Sequence, residues 1–206
     1  MSWRRVGRLL GALALLSLGA SCASVDRRHQ LIVSIPEQRM VLLENGAPLA
    51  TYPVSTSKFG LGDLPATSWT PLGRLEIAKK IGAGAPSGTA FKDRRATGEI
   101  VPPDAPGRDI IVSRILWLRG DEAQNARAYS RYIYIHGTPE ERNIGLPVSY
   151  GCIRMRSRDV IELFEIVGRG AQVRIENLPL ETLVPGLRPV PDRFISTHNF
   201  APTQIR

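Results

Sequence analysis

The 206-residue sequence is short of cysteine, of aromatic residues and of clustered positive charge. Its two cysteines and three histidines do not have the spacing of a metal site, so no metal and no other cofactor is predicted. Basic residues are scattered among acidic ones, and no basic stripe is interleaved with the aromatics, which make up 6% of the chain. The net charge of +8 is therefore interpreted as a solvated surface, and no nucleic acid is expected as a partner.

Long apolar segments are also scarce, and the one that exists lies near the N-terminus. Three arginines precede the apolar run 9–19 and small residues follow it, which is the order of a secretory signal. We therefore predict a signal peptide over residues 1–24 and export to the bacterial periplasm or cell envelope. Cys22 lies where a lipoprotein signal places its lipidated cysteine, although Gly19 takes the place of the usual leucine. Lipid attachment to the membrane and ordinary signal cleavage both stay open.

The many turn-forming residues, 16 prolines and 19 glycines, favour a mainly β fold of one domain. Residues 30–176 are predicted to form this domain, and 177–206 a proline-rich C-terminal tail that lies on the surface or is disordered. Residues 82–107 are predicted to be a long loop. Apolar and β-branched segments predict strands at 31–35, 38–43, 49–55, 73–81, 109–118, 131–135 and 171–175.

One segment has helical rather than strand periodicity. Four apolar residues between positions 160 and 167 recur at the spacing i, i+3, i+4 and i+7, which places them on one face of a helix. The helix is predicted over residues 157–167, with Ser157 as its N-terminal cap and glycines after its end.

Cys152 is the conspicuous residue of the predicted domain. Once Cys22 is removed or lipidated, Cys152 has no disulfide partner, and such a thiol is either reactive or a buried apolar residue. His136 ends a predicted strand, and a loop rich in proline and glycine separates it from Cys152. This loop is expected to fold back and bring the imidazole beside the thiol, which it would deprotonate. Gly151 would let the backbone approach a substrate, with the amides of residues 150–152 facing an oxyanion.

Residues 136–155 resemble the signature of the L,D-transpeptidase catalytic domain family, also called YkuD. The resemblance is carried by residues in the same order and spacing: His136-Gly137-Thr138, then Ser149, Gly151, Cys152, Ile153 and Arg154. A looser likeness covers about 30–176 and includes the element Thr-Pro-Leu-Gly at 70–73. Tyr150 stands where the family commonly has histidine. The resemblance implies a mainly β domain, a β-sandwich with a short packed α-helix.

The resemblance also implies roles in catalysis. Cys152 is expected to be the nucleophile, forming a thioester acyl-enzyme, and His136 the base and later the acid. The carbonyl of Gly137 would orient the imidazole, unless Gly137 is only a turn residue. Ser149 would position the histidine or the substrate through its hydroxyl, unless its role is confined to a turn.

Three further residues are assigned to substrate binding: Tyr150, Gly151 and Arg154. The Arg154 guanidinium would hold a substrate carboxylate, and the alternative is a surface ion pair. Tyr150 would donate a hydrogen bond through its hydroxyl in place of the family's histidine.

The function that the resemblance implies is cross-linking or remodelling of the cell wall. The substrate would be a peptidoglycan stem tetrapeptide, cleaved between diaminopimelate and a terminal D-alanine, with an amine from another stem as the acceptor. Positive charge on the domain suits this carboxylate-rich polymer. Two alternatives stay open: an L,D-carboxypeptidase or amidase that uses the same Cys-His site, and a non-catalytic envelope protein that binds murein. Carbapenems, which acylate this family, would separate an enzyme from a binding protein.

Overall fold

The structure, a computed structural model, describes residues 25–187. Within this range the chain forms ten strands and two short α-helices. The strands are β1 (His29–Ser34), β2 (Arg39–Glu44), β3 (Ala47–Pro53), β4 (Gly73–Ile81), β5 (Thr89–Lys92), β6 (Arg95–Ile100), β7 (Ile111–Gly120), β8 (Tyr134–Gly137), β9 (Ile153–Met155) and β10 (Gln172–Glu176). The helices are α1 (Ser157–Ile166) and α2 (Leu180–Leu183). The mainly β character expected from the sequence is confirmed.

Hydrogen bonds join the strands into one mixed sheet that branches at β7. Its main path is β3-β2-β1-β10-β4-β7-β5-β6, and β8 and β9 extend from β7 on a second path. Val112 of β7 pairs with Ala90 of β5 and with Gly137 of β8, so β5 and β8 lie at opposite edges of β7. The pairs β1–β10 and β8–β9 are parallel. The branch therefore places a short parallel pair, β8 and β9, beside the long central strand.

Strands from both paths of the sheet, together with α1, contribute to one apolar core. Its buried side chains come from β1 to β4, from β7 to β10 and from α1. The four residues predicted for the helix face all lie in this core: Val160, Leu163, Phe164 and Val167. Burying each large apolar side chain stabilises the fold by roughly 1.5–3 kcal/mol, which holds α1 on the sheet. The strands of this one mixed sheet and α1 therefore share a single core.

The segment predicted as a long loop, 82–107, contains a β-hairpin, so that prediction was wrong. β5 and β6 pair antiparallel, and Asp93 and Arg94 form the two-residue turn between them. Every residue of β6 is exposed, so the strand lacks the apolar alternation by which strands are recognised. The turn also lacks the Asn-Gly pair that usually marks such hairpins. The hairpin forms one wall of the candidate site.

The start of the strand predicted at 131–135 was also wrong. β8 begins only at Tyr134 and runs through Gly137, so His136 lies inside the strand rather than after it. Tyr132 has a φ of +59°, a left-handed conformation that interrupts extended backbone. The chain therefore turns sharply just before the strand that carries the histidine.

The cap of helix α1 differs from the predicted one. Ser157 is the first helical residue, and Arg156 occupies the cap position before it. The Ser157 amide donates a hydrogen bond to Oε1 of Glu141, at 2.8 Å. A carboxylate near the helix N-terminus satisfies an unpaired amide and interacts favourably with the helix dipole. The loop between β8 and β9 is thereby tied to α1.

Part of the predicted C-terminal tail packs on the sheet. Leu180 and Val184, in and after α2, contact Ile32, Val41 and Leu43 in a second, smaller apolar cluster. No helix within residues 25–187 is long and apolar enough to cross a bilayer. The predicted signal peptide with Cys22, and the last part of the tail from residue 188, lie outside the described residues.

Candidate active site

Strand pairing brings the two candidate catalytic residues to one face of the sheet. In the parallel pair of β8 and β9, Ile135 lies opposite Ile153 and His136 opposite Arg154. Both isoleucines are fully buried in the main core. Because side chains alternate along a strand, His136 and Arg154 face away from that core. By the same alternation Cys152, directly before β9, lies on this outer face.

The thiol of Cys152 lies in a backbone cradle next to β8. The amide of Tyr134 donates to its Sγ at 3.4 Å, and the thiol donates to the carbonyl oxygen of Tyr132, also at 3.4 Å. Cys152 is unpaired and partly exposed. No hydrogen bond joins it to His136 within residues 25–187, which is common before a substrate is bound. The same range contains no group of three or more potential metal-ligating side chains.

The ring of His136 is held by the backbone of the next residue. Its Nδ1 lies 2.8 Å from the carbonyl oxygen of Gly137, the contact proposed for that glycine. Burial lowers the pKa of His136 to about 4, because the charged ring loses hydration. At neutral pH the imidazole is therefore uncharged. Since a carbonyl only accepts hydrogen bonds, Nδ1 carries the proton and Nε2 is the free acceptor.

The thiol of Cys152 is also uncharged at neutral pH. Burial raises its pKa to about 11, and this outweighs the opposite effects of the Tyr134 amide and of the Arg154 and Arg131 charges. Asp109 adds a smaller increase. Both shifts favour a neutral thiol and a neutral imidazole in the resting state. Attack by the sulfur requires transfer of the thiol proton as the new bond forms.

The neutral pair makes a prediction for thiol reactivity. We expect alkylation of Cys152 by iodoacetamide to accelerate steadily from pH 6 to pH 9, about tenfold per pH unit, because the thiolate fraction rises toward a pKa of about 11. The rate is measured by mass spectrometry on the peptide that contains Cys152. A plateau across pH 6–8 would contradict the neutral pair, since a thiolate stabilised by imidazolium is already formed there.

The turn before Cys152 is fixed by its own hydrogen bonds. The buried hydroxyl of Ser149 donates to the carbonyl of Cys152 at 2.6 Å and accepts from the Gly151 amide at 3.2 Å. Gly151 has a φ of +116°, and a Cβ there would lie 3.1 Å from the carbonyl oxygen of Trp69. Its own carbonyl accepts from the Thr70 hydroxyl at 3.0 Å. Ser149 thus positions the turn, and Gly151 is required by conformation and space.

Arg154 is already bound by two carboxylates. Its guanidinium, 5% exposed, lies 2.7 Å from Oδ2 of Asp109 and 3.2 Å from Oε2 of Glu140. A substrate carboxylate would have to displace one of them. The ion pair that was the alternative for this residue is present, but it is buried rather than at the surface. No motif in the sequence marks Asp109 or Glu140 as its partners.

Tyr150 points its hydroxyl to a lysine and not to the Cys-His pair. The side chain is 57% exposed, and its ring lies 5.3 Å from that of Phe59. Nζ of Lys58 lies 4.7 Å from the Tyr150 ring centre and 3.4 Å from its hydroxyl. Within the described part of the chain Tyr150 makes no hydrogen bond to Cys152 or His136. The hydroxyl does not take the place of the family's histidine as a partner of either residue.

A buried ion pair that the sequence did not reveal supports the cradle. Nη1 of Arg131 lies 2.6 Å from Oδ1 of Asp63, and both side chains are nearly inaccessible to solvent. Nη2 of Arg131 also donates to the Trp69 carbonyl at 2.8 Å, and Oδ2 of Asp63 accepts from the Arg127 amide at 2.6 Å. The pair ties the loop before β4 to the segment that carries Tyr132. It therefore fixes the Trp69 carbonyl, which lies close to Gly151 in the turn before Cys152.

A pocket of about 320 Å³ adjoins the residues that cradle the thiol, although Cys152 itself does not line it. Two of its lining residues, Tyr132 and Tyr134, contribute the backbone groups that contact Sγ. The β5–β6 hairpin supplies the opposite wall. The lining consists of Phe91, Asp93, Arg94, Ile111, Tyr132 and Tyr134. Sequence reasoning missed this wall because it treated the hairpin as a loop.

The sequence that builds this site matches one known domain family. The L,D-transpeptidase catalytic domain, YkuD, matches residues 28–175. The chain belongs to this family. The match covers β1 to β9 and most of β10, and it confirms the resemblance drawn from residues 136–155.

Curated relatives of this YkuD domain are named L,D-transpeptidases. The probable L,D-transpeptidase ErfK/SrfK of Salmonella typhimurium is 40% identical over 175 residues, which are 83% of this chain and 50% of the relative. The probable L,D-transpeptidase YbiS of Escherichia coli is 29% identical over 177 residues, 84% of this chain and 52% of the relative. The chain thus spans about half the length of these relatives. Among solved structures, an L,D-transpeptidase from Mycobacterium smegmatis aligns with a TM-score of 0.48 and 17% identity, over 72% of this chain and 58% of that one.

Proposed function

We propose that the protein is a peptidoglycan L,D-transpeptidase, with Cys152 as the nucleophile and His136 as the general base. The observation that carries the proposal is their common face on the β8–β9 pair, where Gly137 fixes the ring and leaves Nε2 as the acceptor. Family membership suggests the reaction type, and the geometry of the Cys-His pair supports our assignment of its steps to named atoms.

In the first half-reaction Sγ of Cys152 attacks the carbonyl between the L-centre of diaminopimelate and the terminal D-alanine. The thiol proton passes to Nε2 of His136 as the carbon–sulfur bond forms, so no isolated thiolate arises in the buried cradle. The carbon–nitrogen bond then breaks, and His136 returns the proton to the departing amine of D-alanine. A thioester to Cys152 remains. In the second half-reaction an amine from another stem attacks this thioester.

The oxyanion formed on attack needs a hydrogen-bond donor. The Gly151 amide is engaged by the Ser149 hydroxyl. The amide of Cys152 donates to no group within residues 25–187, so we assign it to the oxyanion together with the amide of Tyr150. Of the three amides expected from the sequence, those of residues 150 and 152 are kept as donors, and that of Gly151 is not. Gly151 contributes through its left-handed conformation, which allows the turn.

The charges around the pair would act on the transition state. Arg154 and Asp109 have opposite effects on both groups: the guanidinium lowers the pKa of Cys152 and of His136, and the carboxylate raises both. The Arg154 charge stabilises negative charge developing on sulfur, while Asp109 stabilises the transient imidazolium. We therefore assign Arg154 an electrostatic role beneath the site rather than direct contact with a substrate carboxylate.

The proposal places the enzyme outside the cytoplasmic membrane, where its substrate lies. It is supported by the secretory pattern of residues 1–24 and by the net charge of +5 on the rest of the chain, which favours an anionic wall polymer. Lipid attachment through Cys22 is part of this proposal as one of two processing routes. The intact mass of the native mature protein distinguishes a lipidated Cys22 from cleavage without lipid.

Product analysis tests the proposed reaction. Purified protein is incubated with a stem tetrapeptide that ends in D-alanine, with and without a D-amino acid. We expect release of D-alanine together with cross-linked dimer or the exchanged stem, and no product from the Cys152→Ala variant. Trimmed stems alone would indicate an L,D-carboxypeptidase. Unchanged substrate would indicate a non-catalytic protein that binds murein.

A further inference from the structure

The pocket beside Cys152 has an apolar floor and a charged rim. Phe91 and Ile111 provide apolar surface, and both belong to or pack against the cluster that includes Cys152. Asp93 and Arg94, at the tip of the β5–β6 hairpin, provide one charge of each sign. The pocket thus adjoins the two residues, Tyr132 and Tyr134, whose backbone groups contact Sγ of Cys152.

The turn that carries these charges has an unfavourable backbone for its residues. Lys92 pairs with Arg95, which leaves Asp93 and Arg94 as the two turn residues, with φ of +50° and +66°. Asparagine and glycine adopt this conformation most readily, and a long side chain such as arginine does so with strain. This strained turn places two charged side chains at the mouth of the pocket. An Asn-Gly turn would place no charged side chain there.

The guanidinium of Arg94 is held in place but not neutralised. It lies 4.8 Å from the ring centre of Tyr132 and 5.3 Å from that of Trp117. Its Nη1 is 3.5 Å from the Tyr134 hydroxyl. No carboxylate forms an ion pair with it within residues 25–187, and Asp93 likewise has no ion-pair partner there. A stacked guanidinium with free N–H groups is pre-organised for a carboxylate.

We propose that this pocket selects the acyl acceptor by an α-amino acid group, with its carboxylate bound by Arg94 and its amine near Asp93. The proposal rests on the proposed function and names the specificity residues of its second half-reaction. The shared chemistry is an amine and a carboxylate on one carbon, as in a free D-amino acid or in the side-chain centre of diaminopimelate. The pair of opposite charges favours this group over a simple amine or a simple carboxylate.

The acceptor arrives as an ammonium and loses one proton to water at the Asp93 side of the pocket. The free amine nitrogen then attacks the thioester carbonyl, an amide bond forms, and the carbon–sulfur bond breaks. The second proton of the attacking nitrogen passes through His136 to the departing Cys152 sulfur. The products are the new amide, a neutral thiol and one released proton.

The test compares two acceptors and two variants in an exchange assay with a tetrapeptide donor. D-methionine carries the α-carboxylate, and D-methioninamide presents the same amine without it. We expect Arg94→Gln to lower kcat/KM for D-methionine by about tenfold more than it lowers kcat/KM for D-methioninamide or the rate of acylation. Arg95→Gln removes the same charge from an exposed neighbour that does not line the pocket, and should change neither acceptor. Stem dimer formation, which uses the diaminopimelate centre, should fall with D-methionine exchange in Arg94→Gln.

Two results would overturn the acceptor site. One is an equal effect of Arg94→Gln on both acceptors, or an effect no larger than that of Arg95→Gln. The other is slower acylation in Arg94→Gln with the preference for D-methionine intact, which would place the guanidinium on the donor. Asp93→Asn is expected to lower kcat/KM for both acceptors, because both carry the amine.

A second measurement keeps the site testable if the protein forms no acyl-enzyme, which would be a failure of the proposed function itself. Anionic sulfonatoethyl methanethiosulfonate and its cationic trimethylammonium analogue both modify a thiol, and their rate ratio at Cys152 reports the charge of the adjoining pocket. We expect Arg94→Gln to lower the anion-to-cation ratio by about tenfold relative to Arg95→Gln. An unchanged ratio would rule out an anion-binding guanidinium beside Cys152.

Discussion

Replacing His136 with asparagine is expected to slow acylation of Cys152 by about 10²- to 10⁴-fold, the usual contribution of a positioned general base. The asparagine amide keeps a donor for the Gly137 carbonyl but has no basic nitrogen to take the thiol proton. Because burial raises the pKa of Cys152 to about 11, the thiol does not ionise by itself at neutral pH. The rate is followed as the gain in intact mass with a carbapenem or a tetrapeptide donor.

A second buried histidine provides the control. His29 in β1 lies outside the pocket, with Nδ1 at 2.8 Å from Oδ2 of Asp26. His29→Asn makes the same chemical change there, and we expect its folded fraction to be acylated at the wild-type rate. If His136→Asn is slowed by less than about tenfold, or no more than His29→Asn, the assignment of the base is wrong.

Removing Asp63 is expected to destabilise the domain by about 3–5 kcal/mol, the usual cost of leaving one partner of a buried ion pair unpaired. In Asp63→Ala the guanidinium of Arg131 stays buried without its carboxylate, and the Arg127 amide loses its acceptor. The free energy of unfolding is measured by urea denaturation. We also expect slower acylation in the folded variant, because Arg131 holds the Trp69 carbonyl against the nucleophile turn.

An exposed ion pair provides the matched comparison for Asp63→Ala. Glu99 and Arg108 approach to 2.8 Å, but their side chains are 49% and 39% exposed. Glu99→Ala should therefore lower the free energy of unfolding far less than Asp63→Ala does. A similarly small loss of unfolding free energy in Asp63→Ala would show that the buried pair does not hold the loop in place.

The parts of the fold that could be predicted have a strong local pattern. The period-3.6 apolar face of α1 depends only on neighbouring residues, and it is found in the structure. The β5–β6 hairpin had no such pattern. Its second strand is solvent-exposed throughout, and its turn uses charged residues in a conformation that usually signals glycine. Where local propensity and structure disagree in this way, a functional reason is the natural hypothesis.

The candidate site was predictable as a motif but not as an arrangement of charges. The spacing of His136 and Cys152 indicated the pair, because it matches a family signature. The partners of Arg154 come from a strand flank and from a separate loop, and only the folded chain brings Asp109 and Glu140 to the guanidinium. Contacts between residues this far apart in sequence leave no periodic trace, so the electrostatics of the site required the structure.

Covalent labelling of Cys152 tests the central claim most directly. The mature protein is treated with a carbapenem, and its intact mass and its peptides are determined beside those of Cys152→Ala. The proposed mechanism predicts one added carbapenem mass on the wild-type chain, located on the Cys152 peptide, and none on the variant. A wild-type chain that gains no mass, or a Cys152→Ala chain that gains the same adduct, would contradict Cys152 as the nucleophile.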